Sequence, residues 1–109
     1  ILLPCPSIAN PVFFLISCLT YEGIQCFHDI KSRFDRNVIW VTVAGRSNAL
    51  SGVVAANTHR PVIACPPFKD KMDMMVNINS SIQCPSKVPV MTILEPGNVA
   101  LSVSRMFNL

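Results

Sequence analysis

"VIWVTVAGRSNALSGVVAAN", residues 38–57, decides the fold. Its first seven residues are a continuous β-branched and aromatic run, the pattern of a strand covered on both faces in a parallel sheet. Gly45, Arg46, Ser47 and Asn48 interrupt that run with a flexible backbone and three kinds of polar donor. Residues 49–57 are then rich in small side chains, which suits a helix packed tightly on the sheet, although Gly52 and the valines weaken the propensity. Strand, polar loop and helix follow one another within 20 residues.

The same order recurs downstream. "PVIAC", residues 61–65, reads as a second short buried strand, stopped by Pro66-Pro67. The segment 68–84 carries Met72, Met75, Val76, Asn79 and Ile82 at helical spacings and ends at Pro85. Its methionines read as core filler, since the thioether is flexible and apolar. "VPVMTIL", residues 88–94, is a third strand, and after Glu95-Pro96-Gly97 a helix over 98–109 starts with Asn98 as its cap. A threefold strand–loop–helix order predicts the α/β class, with an open parallel sheet and right-handed crossovers.

Upstream, "IQCFHDIKSRF", residues 24–34, places Ile24, Phe27, Ile30 and Phe34 on one side and most charges on the other, an amphipathic helix ended by Arg36-Asn37. "VFFLISCL", residues 12–19, reads as a further buried strand between Pro11 and Gly23. The apolar run from Pro11 to Leu19 is about half of what a membrane-spanning helix requires, and Pro4, Pro6 and Pro11 oppose a helix there. No Lys or Arg precedes it, as a signal peptide would need, and a start at Ile1 without methionine suggests a fragment.

Composition narrows the function. A chain of 109 residues forms one domain or part of one, and with 50% hydrophobic and only 14% charged residues it is expected to hide surface against partners. The net charge of +3 has no dense Lys/Arg run behind it, so nucleic acid is not an expected partner, and neither is a membrane. The five cysteines, Cys5, Cys18, Cys26, Cys65 and Cys84, form no C-x-x-C pair or zinc-spaced cluster and read as reduced thiols of a cytoplasmic protein. His28 and His59 are isolated, so no metal site is expected.

Open parallel sheets bind ligands beyond the carboxyl ends of their strands. The loops at 44–48, 65–67 and 80–86 are expected to follow or neighbour that geometry. Gly45 would let a ligand approach the backbone, and Arg46, Ser47 and Asn48 offer donors beside a helix start, a disposition suited to an anion or a heterocycle. The same residue types also make an ordinary capped turn with Arg46 in an ion pair.

From Val43, "VAGRSNALSGVVAANTHRPVIACPP", then "SSIQCPS" and "VPVMTILEP", the chain resembles the aminoimidazole ribonucleotide (AIR) carboxylase family of purine biosynthesis. It is most similar to the class that uses carbon dioxide directly, found alone in some bacteria and as the carboxylase domain of the animal bifunctional enzyme. The resemblance covers about residues 38–109, the A-G-R-S-N loop and C-P-P following in the family's order and spacing. It implies a three-layer α/β sandwich of the flavodoxin-like PurE fold, truncated here at both ends, within an octamer whose active sites lie between subunits. The implied reaction adds carbon dioxide to C4 of AIR without biotin, ATP or metal, in the cytoplasm.

Carried over by motif, Gly45, Arg46, Ser47 and Asn48 would line the base and carbon dioxide region, with Ser47 and Asn48 as catalytic residues. Cys65, Pro66 and Pro67 would shape a neighbouring wall, and Ser80, Ser81, Pro85 and Ser86 would belong to a loop closing over the site. The domain would run over 27–109, with 1–26 a divergent apolar segment. The family's glycine-serine-aspartate phosphate loop and Ser-Ala-His motif are not found in the sequence; Gln83 stands where many members have arginine and Lys87 where they have glycine. The alternative is therefore a non-catalytic fragment or relative that only oligomerises or binds. The sequon Asn79-Ser80-Ser81 is expected to be chemically idle in the cytosol.

Overall fold

All five residues of β2, Val38–Thr42, are buried, as the apolar run requires. The chain is described here by a computed structural model, which covers residues 12–16, 21–33, 38–45 and 49–107. Around β2 the elements run β1 (Val12–Ile16), α1 (Tyr21–Arg33), α2 (Ala49–Ala56), β3 (Val62–Ala64), α3 (Lys71–Ile82), β4 (Met91–Thr92) and α4 (Pro96–Phe107). The four strands form one sheet in the order β1-β2-β3-β4, and every pairing is parallel. In register, Val12 lies opposite Val38, Trp40 opposite Val62, and Ile63 opposite Met91.

A sequential strand order has a geometric consequence. When each crossover is right-handed, the connecting helices α1, α2 and α3 all fall on one face of the sheet, and only the helix after the last strand reaches the other. The two cores follow that division. Phe27 of α1 and Leu50, Val54 and Ala55 of α2 pack with Val38, Trp40 and Val62. Ile39, Val41, Ile63 and Cys65, which point the other way, pack with Val99 and Val103 of α4. Phe27 meets Trp40 edge to face at 4.7 Å between ring centroids. Each large side chain so buried contributes about 1.5–3 kcal/mol of transfer free energy. The three layers expected from the resemblance are present, with unequal outer layers.

Several boundaries depart from the sequence reading. Helix α1 begins at Tyr21, so Gly23 lies within it instead of separating strand from helix. A glycine there is tolerated because the first turn makes no intrahelical N–H bonds. Residues 17–19 of the expected first strand and the Arg36-Asn37 stop lie outside the described residues. Strand β4 is confined to Met91–Thr92, because Pro89 has no N–H for the ladder. One more bond, Ile93 N to Ala64 O at 3.0 Å, continues the pairing. Helix α4 starts at Pro96, and the cap is Glu95, whose Oε2 accepts from Asn98 N at 2.8 Å. Proline suits the first helical position, where no N–H is needed, which places Asn98 inside the first turn.

Helix α3 is inverted relative to expectation. Asn77 and Ser81 face inward and are buried, with Met74 and Ile78 half-buried beside them. The stripe read as core is outside: Met72 is 74% exposed, Met75 and Val76 60%, and Ile82 59%. Those methionines fill no core within one chain. Among the described residues, no helix is long and apolar enough to cross a membrane.

Candidate functional site

The carboxyl ends of β2 and β3 bring two of the expected loops together. Beyond Thr42 the chain continues through Val43, Ala44 and Gly45; beyond Ala64 it continues through Cys65, Pro66 and Pro67. Cys65 N donates to Thr42 O at 2.8 Å, the last rung joining the two strands before they part. A Cβ built on Gly45 would lie 3.8 Å from Pro67 Cγ and 3.9 Å from Asn77 Nδ2. These are ordinary contact distances, and Gly45 has no positive φ. Neither the fold nor the backbone therefore demands glycine there.

The wall after β3 is chemically distinctive. Pro66 and Pro67 carry no N–H, so two successive residues offer no backbone donor; Pro66 is fully buried and Pro67 exposes its ring. The Pro67 carbonyl is occupied, since the Asn77 side-chain amide donates to it at 2.6 Å. Donors to a bound anion must then come from elsewhere at this edge. Arg46, Ser47 and Asn48, which precede α2, lie outside the described residues.

On the opposite face a cavity of about 590 Å3 lies between the sheet and α4, lined by Val41, Val43, Cys65, Pro66, Pro67 and Glu95 among others. Its walls are overwhelmingly apolar side chains. Cys65 is 6% exposed there; burial, and secondarily the Glu95 carboxylate, push its thiol pKa up. Cys65 and Cys84 are free thiols, the first buried and the second half-buried. Among the described residues, no group of three His, Cys, Asp or Glu side chains is placed to hold a metal ion.

The third expected loop is elsewhere. Ser80 and Ser81 belong to the last turn of α3, with hydroxyls donating to the Asn77 carbonyl at 3.0 and 3.4 Å. Pro85 and Ser86 precede β4, and because β4 runs parallel to β3 they lie toward the amino ends of the strands. Within one chain they cannot close over Gly45 and Pro67. The four residues expected to act as one loop are thus divided between a helix and the opposite edge of the sheet. Asn77, by contrast, escaped the sequence reading. Its one signal was the i, i+4 relation to Ser81, a polar pair on the face of α3 opposite the apolar stripe.

Comparison with known proteins agrees with the architecture. The model of the AIR carboxylase family matches residues 22–109. The phosphoribosylaminoimidazole carboxylase of Archaeoglobus fulgidus is 54% identical over 80 residues, covering 73% of this chain and 44% of that protein. The bifunctional phosphoribosylaminoimidazole carboxylase/phosphoribosylaminoimidazole succinocarboxamide synthetase of Drosophila melanogaster is 44% identical over 73 residues, covering 67% of this chain and 17% of that protein. The crystal structure of Treponema denticola PurE superposes with a TM-score of 0.71 at 37% identity, covering 80% of this chain and 54% of that one. The chain spans about half the length of the archaeal and Treponema proteins, and less of the bifunctional one. On the family match and the shared flavodoxin-like α/β fold, this chain belongs to the AIR carboxylase family.

Proposed function

We propose that the chain supplies the loop-bearing part of an enzyme that carboxylates AIR in purine biosynthesis. The observation that supports this is the meeting of Gly45 with Pro67 at the carboxyl edge, which sets the glycine of the A-G-R-S-N motif beside C-P-P. In the reaction, the enamine-like C4 of the aminoimidazole ring uses its electron pair to form a bond to the carbon of carbon dioxide. One C=O π pair moves to oxygen, giving a carboxylate, and the C4 proton leaves to a base. Such chemistry asks a protein to align the two reactants, stabilise developing negative charge and accept one proton.

The proline wall suits the first task. It presents a donor-free apolar surface against which a planar heterocycle and uncharged carbon dioxide lose little hydration. The guanidinium, hydroxyl and amide of Arg46, Ser47 and Asn48 suit the second, with Ser47 and Asn48 in the catalytic role. The reaction as written uses no metal, biotin or ATP. The domain boundary at residue 27 and action in the cytoplasm belong to the same proposal.

A homo-oligomer completes the reading. The exposed stripe Met72, Met75, Val76 and Ile82 is the surface through which copies assemble, since a monomer gains nothing by leaving it to water. Assembly also offers Pro85 and Ser86 a site on another copy, as their own lies across the sheet. Gel filtration with light scattering reads the assembly; a monomer at micromolar concentration overturns it.

Turnover of AIR with bicarbonate by the purified, folded chain tests the activity. Production of carboxyaminoimidazole ribonucleotide that is lost in Ser47→Ala or Asn48→Ala supports the proposal. Absence of turnover from folded protein refutes it in favour of a binding or remnant role.

A further inference from the structure

We infer that Asn77 is a positioning residue for the site proposed above: its buried amide sets the Cys65–Pro67 turn against Gly45. The inference rests on that functional reading and deepens it.

The turn packs Pro66 and Cys65 into the core, and Cys65 Sγ donates to Leu94 O at 3.8 Å, but its main chain has few hydrogen bonds. The strand ladder ends at Cys65 N, and the next two residues have no N–H with which to bond the neighbouring loop. The next anchors come only with Lys69, whose N donates to Asp73 Oδ2 at 3.0 Å, and Asp70, which caps α3 by accepting from Asp73 N at 2.9 Å. Between these fixed points, the 2.6 Å bond from Asn77 Nδ2 to Pro67 O ties the turn to α3. Because a carbonyl only accepts, the side chain must present its NH2 group here, which settles the amide orientation.

The position of Asn77 matches the task. It is 1% exposed, and its Nδ2 is also the atom closest, after the Pro67 ring, to where a Gly45 side chain would be. One amide thus stands behind both motif loops at the place where they meet. Ser80 and Ser81 both donate to the main-chain carbonyl of Asn77. An interior residue would more cheaply be apolar: a buried amide gains little net from its hydrogen bond, whereas leaving its partner unpaired costs more than the bond gains. That cost is what fixes the turn in one place, and catalysis is sensitive to displacements of about 1 Å.

The test compares two variants of the full chain. Asn77→Leu removes the donor at similar volume. Val54→Ala cuts a fully buried side chain of α2, away from both loops, and controls for lost stability. Each is assayed for kcat and KM at a temperature where it is folded, and for hydrogen exchange at the amides of Ala44, Gly45, Phe68, Lys69 and Asp70.

The expected result is a fall in kcat/KM of at least tenfold for Asn77→Leu, with faster exchange at those amides, while Val54→Ala keeps the wild-type kcat/KM. Unchanged kcat/KM in folded Asn77→Leu, or an equal loss in Val54→Ala, overturns the inference. If the wild-type chain itself shows no turnover, the carboxylase reading fails and exchange alone decides. Selective loosening of those amides in Asn77→Leu then upholds the strut, and no difference from Val54→Ala removes it.

Discussion

Lys87 gives the sharpest test of the backbone. Val88 N donates to Pro85 O at 3.2 Å, closing a turn in which Ser86 and Lys87 are the central residues. Lys87 has φ of 69°, the only positive φ among the described non-glycine residues. A positive φ at the second central position alone defines a type II turn, whose steric requirement there is glycine. The sequence puts lysine where the resembling family has glycine, so strain is expected. A side chain in the left-handed region costs about 1–2 kcal/mol. Glycine would remove that cost but adds about 0.5–1 kcal/mol of unfolded-state entropy. Lys87→Gly should therefore stabilise the chain by about 0.5–1 kcal/mol, which for a domain of this size raises Tm by about 2–8 °C. Lys87→Ala is the control, because it removes the charge and keeps Cβ; it should stay within about 0.5 kcal/mol of wild type. Thermal and urea denaturation followed by circular dichroism read both. Equal stability of the glycine and alanine variants, or a less stable glycine variant, would refute the assignment of strain to this backbone angle.

Three other outcomes are expected. Gly52 lies inside α2 with nothing within 4 Å of a built Cβ, so Gly52→Ala should gain about 1 kcal/mol of helix propensity in a urea titration. Gly45→Ala should leave the urea midpoint unchanged, since its methyl meets only ordinary contacts; if activity falls in that folded variant, the space is needed by a ligand. For Cys65 the sign follows from its raised pKa: the folded chain holds the thiol proton more tightly than the unfolded chain, whose thiol has the ordinary value of 9.0. Its contribution is full below that pH and is lost as pH rises through the folded thiol's pKa. The wild type should consequently lose more stability than Cys65→Val between pH 8 and pH 11, and parallel curves would contradict the burial argument.

The sheet was legible because a buried parallel strand leaves an unmistakable trace: residues 38–41 and 62–64 are apolar at every position, and these and Thr42 are all buried. Helix α2 was legible for a related reason, as small residues at a close helix–sheet contact have few alternatives. Helix α3 was misread because periodicity reports that a helix has two faces without saying which one the sheet takes. The stripe through Met72, Met75 and Val76 is the more hydrophobic, yet the sheet side takes Asn77 and Ser81, whose polar groups find partners only in the folded chain. The α4 cap was misplaced by three residues because asparagine is the commoner cap, whereas Pro96 at the first helical position hands the role to Glu95.

The same distinction explains why the site was half visible. Glycine, proline and cysteine in A-G-R-S-N and C-P-P can be read from the chain because their constraints are local: a missing Cβ, a missing N–H. What brings the two loops into one surface is not local. It is the parallel pairing of β2 with β3, which sets the two loops side by side, with the Pro67 carbonyl tied by an amide on α3 ten residues further on, and no spacing rule singles out that asparagine among its neighbours. Asn79 lies on the same helix, exposed on the outer face, and only the course of the proline turn distinguishes the two. The helix therefore carries two separable messages: an inner polar face that sets the geometry of the loops, and an outer apolar face that needs a partner. Substitution at Asn77 should disturb the first without the second, and substitution at Met72 or Met75 the second without the first, because Asn77 is buried on one side of the helix and the methionines are exposed on the other.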